Sequence, residues 1–200
     1  MTTLNHPLTQ VHVANSTPYA WPWNGVLDPT GTAVVIVEPR GAGPALSVVD
    51  AEPIVSAVVR VVAAVRAAGG AVIHVRTAPP LGGPEVPGQL DLMVAAADVV
   101  EAVGIDGFYG SSLDALLRQR GIERMILVGS GLETSLHSTM RSANDRGFEC
   151  LLVIDACLPY QEALVAASVS MIEMSGGIFG AVGHSADVAE AFASARKEQQ

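Results

Sequence analysis

Ala33-Val-Val-Ile-Val37 is an unbroken apolar run, rich in β-branched residues and without polar alternation. A strand with one wet face alternates, whereas a continuous run is the pattern of a strand covered on both faces, as in a parallel sheet flanked by helices. Downstream, Ile54, Val58, Val61, Val62 and Val65 fall at helical spacing on one face, and Gly69-Gly70 ends that pattern. Ala71-Val-Ile-His-Val75 reads as a second strand, with further strands at 124–128, 150–154 and 177–182 and a weaker one at 99–103. Helices fall between them. One opens at Ser111-Ser-Leu-Asp114, in capping-box spacing, and stops at Gly121. Another carries Leu132, Leu136, Met140 and Ala143 on one face and closes at Gly147; two more span 162–174 and 185–197. Strand–helix alternation with short connections implies right-handed crossovers onto a parallel sheet. The expected architecture is a single three-layer α/β/α domain over 33–200, preceded by an arm at 1–32.

Composition bounds the function. Two hundred residues suit one domain, and with 50% apolar and only 16% charged residues neither disorder nor a coiled coil is expected. The net charge of −9 and the lack of a basic cluster argue against nucleic-acid binding. Ten of the eleven cations are arginines, and the single lysine is Lys197, near the C-terminal end. Cys150 and Cys157 give neither a disulfide framework nor a metal-ligand cluster, and no metal or cofactor motif is read, so the expected setting is a reducing cytoplasm. The first 32 residues lack a secretory pattern, and the apolar stretch 51–68 is broken by Glu52, Pro53, Arg60 and Arg66, so no membrane association is expected.

Two segments stand outside the strand–helix rhythm. The arm holds both tryptophans, Trp21 and Trp23, and is expected to pack on the domain or on a neighbouring subunit. The stretch 79–91, with four prolines and three glycines, reads as a surface loop placed where it could cover a site.

Ligands of open α/β sheets bind outside the carboxyl ends of the strands. Those ends hold Glu38; His74, Arg76 and Thr77; Gly129-Ser-Gly-Leu-Glu-Thr-Ser135; and Asp155 with Cys157. Each has a plain structural role open to it as well. Glu38 could pair with Arg40 or Arg76. Gly129-Ser-Gly131 lacks the GxGxxG spacing and suits a tight strand-to-helix turn. Ser135 falls in the first turn of its helix, where the N–H groups and dipole favour negative charge, but a first-turn serine is also common. His137, two residues on, projects away from Ser135 and is not its base. His74 suits a packed, hydrogen-bonded core histidine, and the two cysteines suit small buried hydrophobes.

Leu136-His-Ser-Thr-Met-Arg-Ser-Ala-Asn-Asp-Arg-Gly-Phe-Glu-Cys-Leu-Leu151 resembles the helix-and-strand segment of isochorismatase-like cysteine hydrolases. Four other stretches agree: Pro18-Tyr-Ala-Trp-Pro-Trp-Asn-Gly25, Gly104-Ile-Asp-Gly-Phe-Tyr-Gly-Ser-Ser-Leu-Asp114, Gly121-Ile122, and Met171 through Phe179 with its Gly-Gly-Ile-Phe. The likeness runs from about residue 18 to 195 and is greatest to the biuret-hydrolase and ureidoacrylate-type branch. It implies a six-stranded parallel sheet, helices on both faces, and dimers or tetramers. It also implies an Asp–Lys–Cys triad, in which the thiol attacks a carbonyl, the acid takes its proton and the ammonium stabilises the charged pair. Carried over by position, the acid falls on Glu38, the lysine on Ala102 and the cysteine on Ser135, so each of the three differs.

A serine hydroxyl needs a strong positioned base, and no ammonium is near to help. Two readings follow. In the first, the chain is a non-catalytic small-ligand-binding or partner subunit, with Arg76, Ser130 and Gly131 suited to a carbonyl or carboxylate ligand, acting as a homo-oligomer or beside a triad-complete paralogue. In the second, it is an altered hydrolase in which Glu38, with or without Ser135, works as general acid or base on a small amide, carbamoyl or enol-ether substrate, as isochorismatases use the strand-one acid.

Overall fold

The computed structural model describes residues 10–40, 48–79 and 98–198. Six strands, β1 (Thr32–Pro39), β2 (Ala71–Thr77), β3 (Asp98–Glu101), β4 (Arg124–Ser130), β5 (Glu149–Leu158) and β6 (Ala181–Gly183), form one sheet in the order β3-β2-β1-β4-β5-β6. Every neighbouring pair is parallel. All eight residues of β1 are buried, as the unbroken apolar run requires of a strand sandwiched between helical layers.

Two apolar layers result. Val34 and Ile36 of β1, with Ile126 and Val128 of β4, pack against α1 (Val48–Ala67) and α5 (Ser185–Glu198). The alternate residues Val35, Val37, Met125 and Leu127 face α2 (Leu113–Gln119), α3 (His137–Asp145) and α4 (Val165–Glu173). The three-layer α/β fold expected from the sequence is the one that forms. Among the described residues no helix is long and apolar enough to cross a membrane.

Several local expectations need correction. The sixth strand begins at Ala181 and not at residue 177, because the preceding residues form a turn in which Ser175 Oγ accepts from the Phe179 N–H at 3.1 Å. The capping box does not close: α2 starts one residue later than Ser111-Ser-Leu-Asp114 requires, and no side chain caps it. The Ser111 hydroxyl instead donates back to the Gly107 carbonyl at 2.6 Å and accepts from the Leu113 N–H at 3.2 Å. The helix expected from residue 132 is interrupted. Its first five residues, Leu132–Leu136, form a π-helical turn, closed where the Leu136 N–H reaches the Gly131 carbonyl at 3.0 Å, and α3 follows. The helix expected from Ile54 extends back to Val48.

The described part of the arm packs on its own domain. Trp21 is fully buried in the layer beneath α1 and α5, and Thr17 exchanges backbone hydrogen bonds with Val182 at the edge strand β6. Trp23 stays 68% exposed, with Tyr19 edge-on to its ring. Beyond Pro79, the loop expected at 79–91 lies outside the described residues.

Candidate functional site

The strand order reverses between β1 and β4, and in an open α/β sheet the crevice outside the carboxyl ends at such a reversal is where ligands bind. The last register pair at this junction is Val37 with Gly129. Gly129 has φ +126°, and a Cβ there would sit 2.1 Å from the Val37 carbonyl oxygen, so only glycine lets the two strands stay paired. Gly131, at φ +79°, then turns the chain into the π-helical turn that carries Ser135. Its own N–H donates to the Leu158 carbonyl at 2.9 Å, so this backbone donor is already occupied.

Alternation along the strands sends the polar residues of the junction to opposite faces. Glu38 continues the row of Val34 and Ile36, and Ser130 continues the row of Ile126 and Val128, both on the α1 side. Glu38 is only 4% exposed; its Oε2 lies 2.9 Å from Nε2 of His74, itself 1% exposed, on neighbouring β2 in register with Ile36. A contact that short carries one proton between the two atoms. The ion pairing expected with Arg40 or Arg76 is replaced by this bond, because Arg40 reaches instead to Glu101 at 2.9 Å and Arg76 Nη1 lies 3.7 Å from the same carboxylate. The other Glu38 oxygen, Oε1, is buried without a hydrogen-bond partner among the described residues, and so is Ser130 Oγ.

On the opposite face, Thr77 continues the row of Ile73 and Val75. Its hydroxyl donates to Ser135 Oγ at 3.2 Å, and Ser135 is fully buried. Ala102, just past β3, is also fully buried and contributes only its methyl group to the apolar layer, while its N–H bonds the Arg76 carbonyl at 2.8 Å. Among the described residues no hydrogen bond joins Glu38 to Ser135. The expectation that first-turn N–H groups beside Ser135 stand ready for an anion changes for two of them. The N–H groups of Thr134 and Leu136 both bond the Gly131 carbonyl, so the π-helical turn consumes them.

Glu133 fastens the turn from outside, accepting from the backbone N–H groups of Tyr160 at 2.9 Å and Gln161 at 2.8 Å. His137 is half-buried; desolvation, followed by the nearby Arg141 cation, lowers its proton affinity. Burial, followed by the neighbouring Glu149 and Asp155 carboxylates, pushes the Cys150 and Cys157 thiols far above the ordinary thiol range. Both behave as the small buried hydrophobes expected, and neither offers a thiolate. Asp155 has a structural duty: it accepts from the backbone N–H and the hydroxyl of Ser185 at the start of α5.

The family model described as the isochorismatase domain matches residues 32–187, most of the chain. The chain belongs to the isochorismatase family. Over 50 residues it is 40% identical to the uncharacterized isochorismatase family protein YecD of Escherichia coli O157:H7, a match that spans 25% of this chain and 27% of that relative. An isochorismatase family protein from Burkholderia thailandensis is 26% identical with a TM-score of 0.66, over 84% of this chain and 98% of that one. A cysteine hydrolase from Pseudomonas syringae pv. phaseolicola, at 22% identity and a TM-score of 0.67 over 84% and 95%, shares the fold. Within this isochorismatase-family chain, sequence reasoning singled out the strand ends but not the pairing of Glu38 with His74 or of Thr77 with Ser135. The signal that could have found the first pair is the parallel register, which sets His74 beside β1 two residues short of Glu38's level.

Proposed function

We propose that this isochorismatase-family protein is a non-catalytic member, near the biuret-hydrolase and ureidoacrylate-type branch, that binds a small carbonyl or carboxylate ligand or serves as a partner subunit. The observation that carries the reading is the state of the nucleophile position. Ser135 is fully buried and bonded to Thr77, the resembled lysine position holds only the buried methyl group of Ala102, and the sole lysine of the chain lies in the last turn of α5. An alcohol needs a positioned base to attack a carbonyl, and the acid that would supply it by resemblance, Glu38, is engaged by His74 on the other face. Ligand contacts are then left to the strand ends at Arg76 and Ser130, with Gly131 shaping the turn. In this reading the chain works in a reducing cytoplasm, where Cys150 and Cys157 stay free, as a homo-oligomer or beside a triad-complete paralogue.

The test is a turnover screen of purified protein over amides, carbamoyl compounds and enol ethers, with the triple variant Glu38→Asp, Ala102→Lys, Ser135→Cys as comparator. No turnover by the natural chain is expected. Robust amide cleavage that disappears in Ser135→Ala overturns the reading. One observation favours a second reading, an altered hydrolase: Glu38 is a buried carboxyl with one oxygen open, the setting of a general acid. In that case enol-ether or carbamoyl turnover survives Ser135→Ala and is lost in Glu38→Gln.

A further inference from the structure

We propose that the face carrying Trp23, Met171, Met174 and Ile178 is the surface on which two copies of this chain meet about a two-fold axis. The inference rests on the homo-oligomer part of the reading above and adds which surface joins the copies. Trp23 is 68% exposed, Met174 75% and Ile178 73%, with Met171 one turn back on α4 at 45%. These side chains adjoin one another. A Cβ at Gly177 would sit 3.4 Å from Cζ3 of Trp23, and Met174 and Ile178 flank that glycine in the turn that closes α4. Single exposed apolar residues are ordinary, but a group of large ones marks an interaction surface, and tryptophan and methionine are enriched where proteins meet. Trp23 is also held ready. Its N–H donates to Glu149 Oε1 at 2.6 Å, and the Tyr19 ring stands edge-on to its own at 4.9 Å between centroids. An anchor fixed in advance loses little freedom on binding.

Charge selects the occupant. A two-fold axis sets a patch against the same patch on the other copy, so an acidic face meets an acidic face, and like charges brought together oppose association. On a chain of net charge −9, copies join best where charge is absent. This face meets that condition: residues 10–27 contain no Asp, Glu, Lys or Arg, and neither do residues 174–186. The carboxylates beside it are tied to the arm. Glu149 accepts from the Tyr19 hydroxyl and the Trp23 N–H, and Glu173 accepts from the Thr17 hydroxyl. The other exposed apolar group, Val99, Val103, Ile105 and Tyr109, is interspersed with Asp98, Glu101 and Asp106. A basic partner calls for exposed carboxylates; an uncharged apolar face on an acidic chain suits a second acidic copy.

The test is analytical ultracentrifugation of the full chain over a range of concentrations, with tryptophan emission recorded on the same samples. Reversible association is expected. As the copies part on dilution, emission shifts to the red because Trp23 returns to water; Trp21 is fully buried, so the shift disappears in Trp23→Phe. Ile178→Glu puts a carboxylate from each copy into the joint and weakens association about 100-fold, about tenfold for each. Met174→Glu carries the same expectation should Ile178→Glu not fold. Val99→Glu, in the other apolar group, leaves association unchanged. A natural chain that is monomeric at every concentration overturns the proposal and the homo-oligomer reading together, and gives the face to a different protein. Association that persists in Ile178→Glu and Met174→Glu, that is lost in Val99→Glu, or whose loss on dilution leaves emission unmoved overturns the proposed surface while the homo-oligomer reading stands.

Discussion

At the sheet edge the α1 side and the α3 side handle buried polarity in opposite ways. On the α1 side Glu38 and Ser130 each keep a buried oxygen without a partner among the described residues, and the other carboxyl oxygen goes to a histidine. On the α3 side the Thr77 hydroxyl donates to Ser135 Oγ, on the face whose apolar layer includes the Ala102 methyl group. Both sides descend from the same strand ends, so the contrast is not one of location. A bonded hydroxyl pair among apolar side chains leaves neither oxygen without a partner, which is the usual state of buried polar groups. An open pair at a reversal of strand order is a cost to stability that a ligand can offset.

The largest expected effect tests the buried Glu38–His74 contact on the α1 side. His74→Leu leaves a buried carboxyl without its partner and should lower the unfolding free energy by about 3 kcal/mol in urea titrations. The double variant His74→Leu, Glu38→Met removes both partners and should recover most of that loss. If the single variant costs well under about 1 kcal/mol, the α1 side is no more demanding than the α3 side and the contrast fails.

A smaller loss is expected opposite. Ser135→Ala removes one neutral hydrogen bond and should cost about 1 kcal/mol, with Thr77→Val adding little once Ser135 is gone. Additive losses in this double-mutant cycle count against the closed pair.

Weaker still is a pH effect carried by His137 on the α3 side. Burial holds its folded pKa below the free value, so below about pH 6.5 the unfolded chain takes up a proton that the native state refuses. Stability is therefore present above that pH and is lost as pH falls toward the folded value. Thermal midpoints measured across about pH 5 to 7 in the natural chain and in His137→Phe should converge at the upper end and diverge at the lower end. Identical pH profiles would show that His137 does not couple folding to protonation.

The smallest expected change belongs to Ser130→Ala. Deleting a hydroxyl that bonds nothing among the described residues should leave the unliganded protein within about 0.5 kcal/mol of the natural chain, or slightly more stable. A loss comparable to that of Ser135→Ala would mean that Ser130 already has a partner.

Much of this molecule is written locally. The run from Ala33 to Val37 forms a fully buried strand, the spacing from Ile54 to Val65 forms α1, and even the short β3 stands where the weaker signal placed it. The misreadings share one feature. The serine box before α2, the start of β6 and the first turn before α3 each depended on where a hydroxyl or a backbone N–H would go, and a distant or competing acceptor took it. At the candidate site the same limit applies. Glu38 stands within two residues of two candidate cations along and across the strands, yet bonds the one side chain that reads from sequence as a packed core histidine.

Hydrophobic periodicity and strand ends are properties of neighbouring residues, and burial of apolar surface supplies most of the drive to fold. The layers, the parallel sheet and the set of residues at its carboxyl edge therefore follow from the order of amino acids. Which polar atoms meet, and which stay open, depends on register between strands far apart in the chain and on the face each side chain takes. Only the folded sheet could set His74 against Glu38 and Thr77 against Ser135, and leave Ser130 with an open oxygen beside the strand that carries the acid.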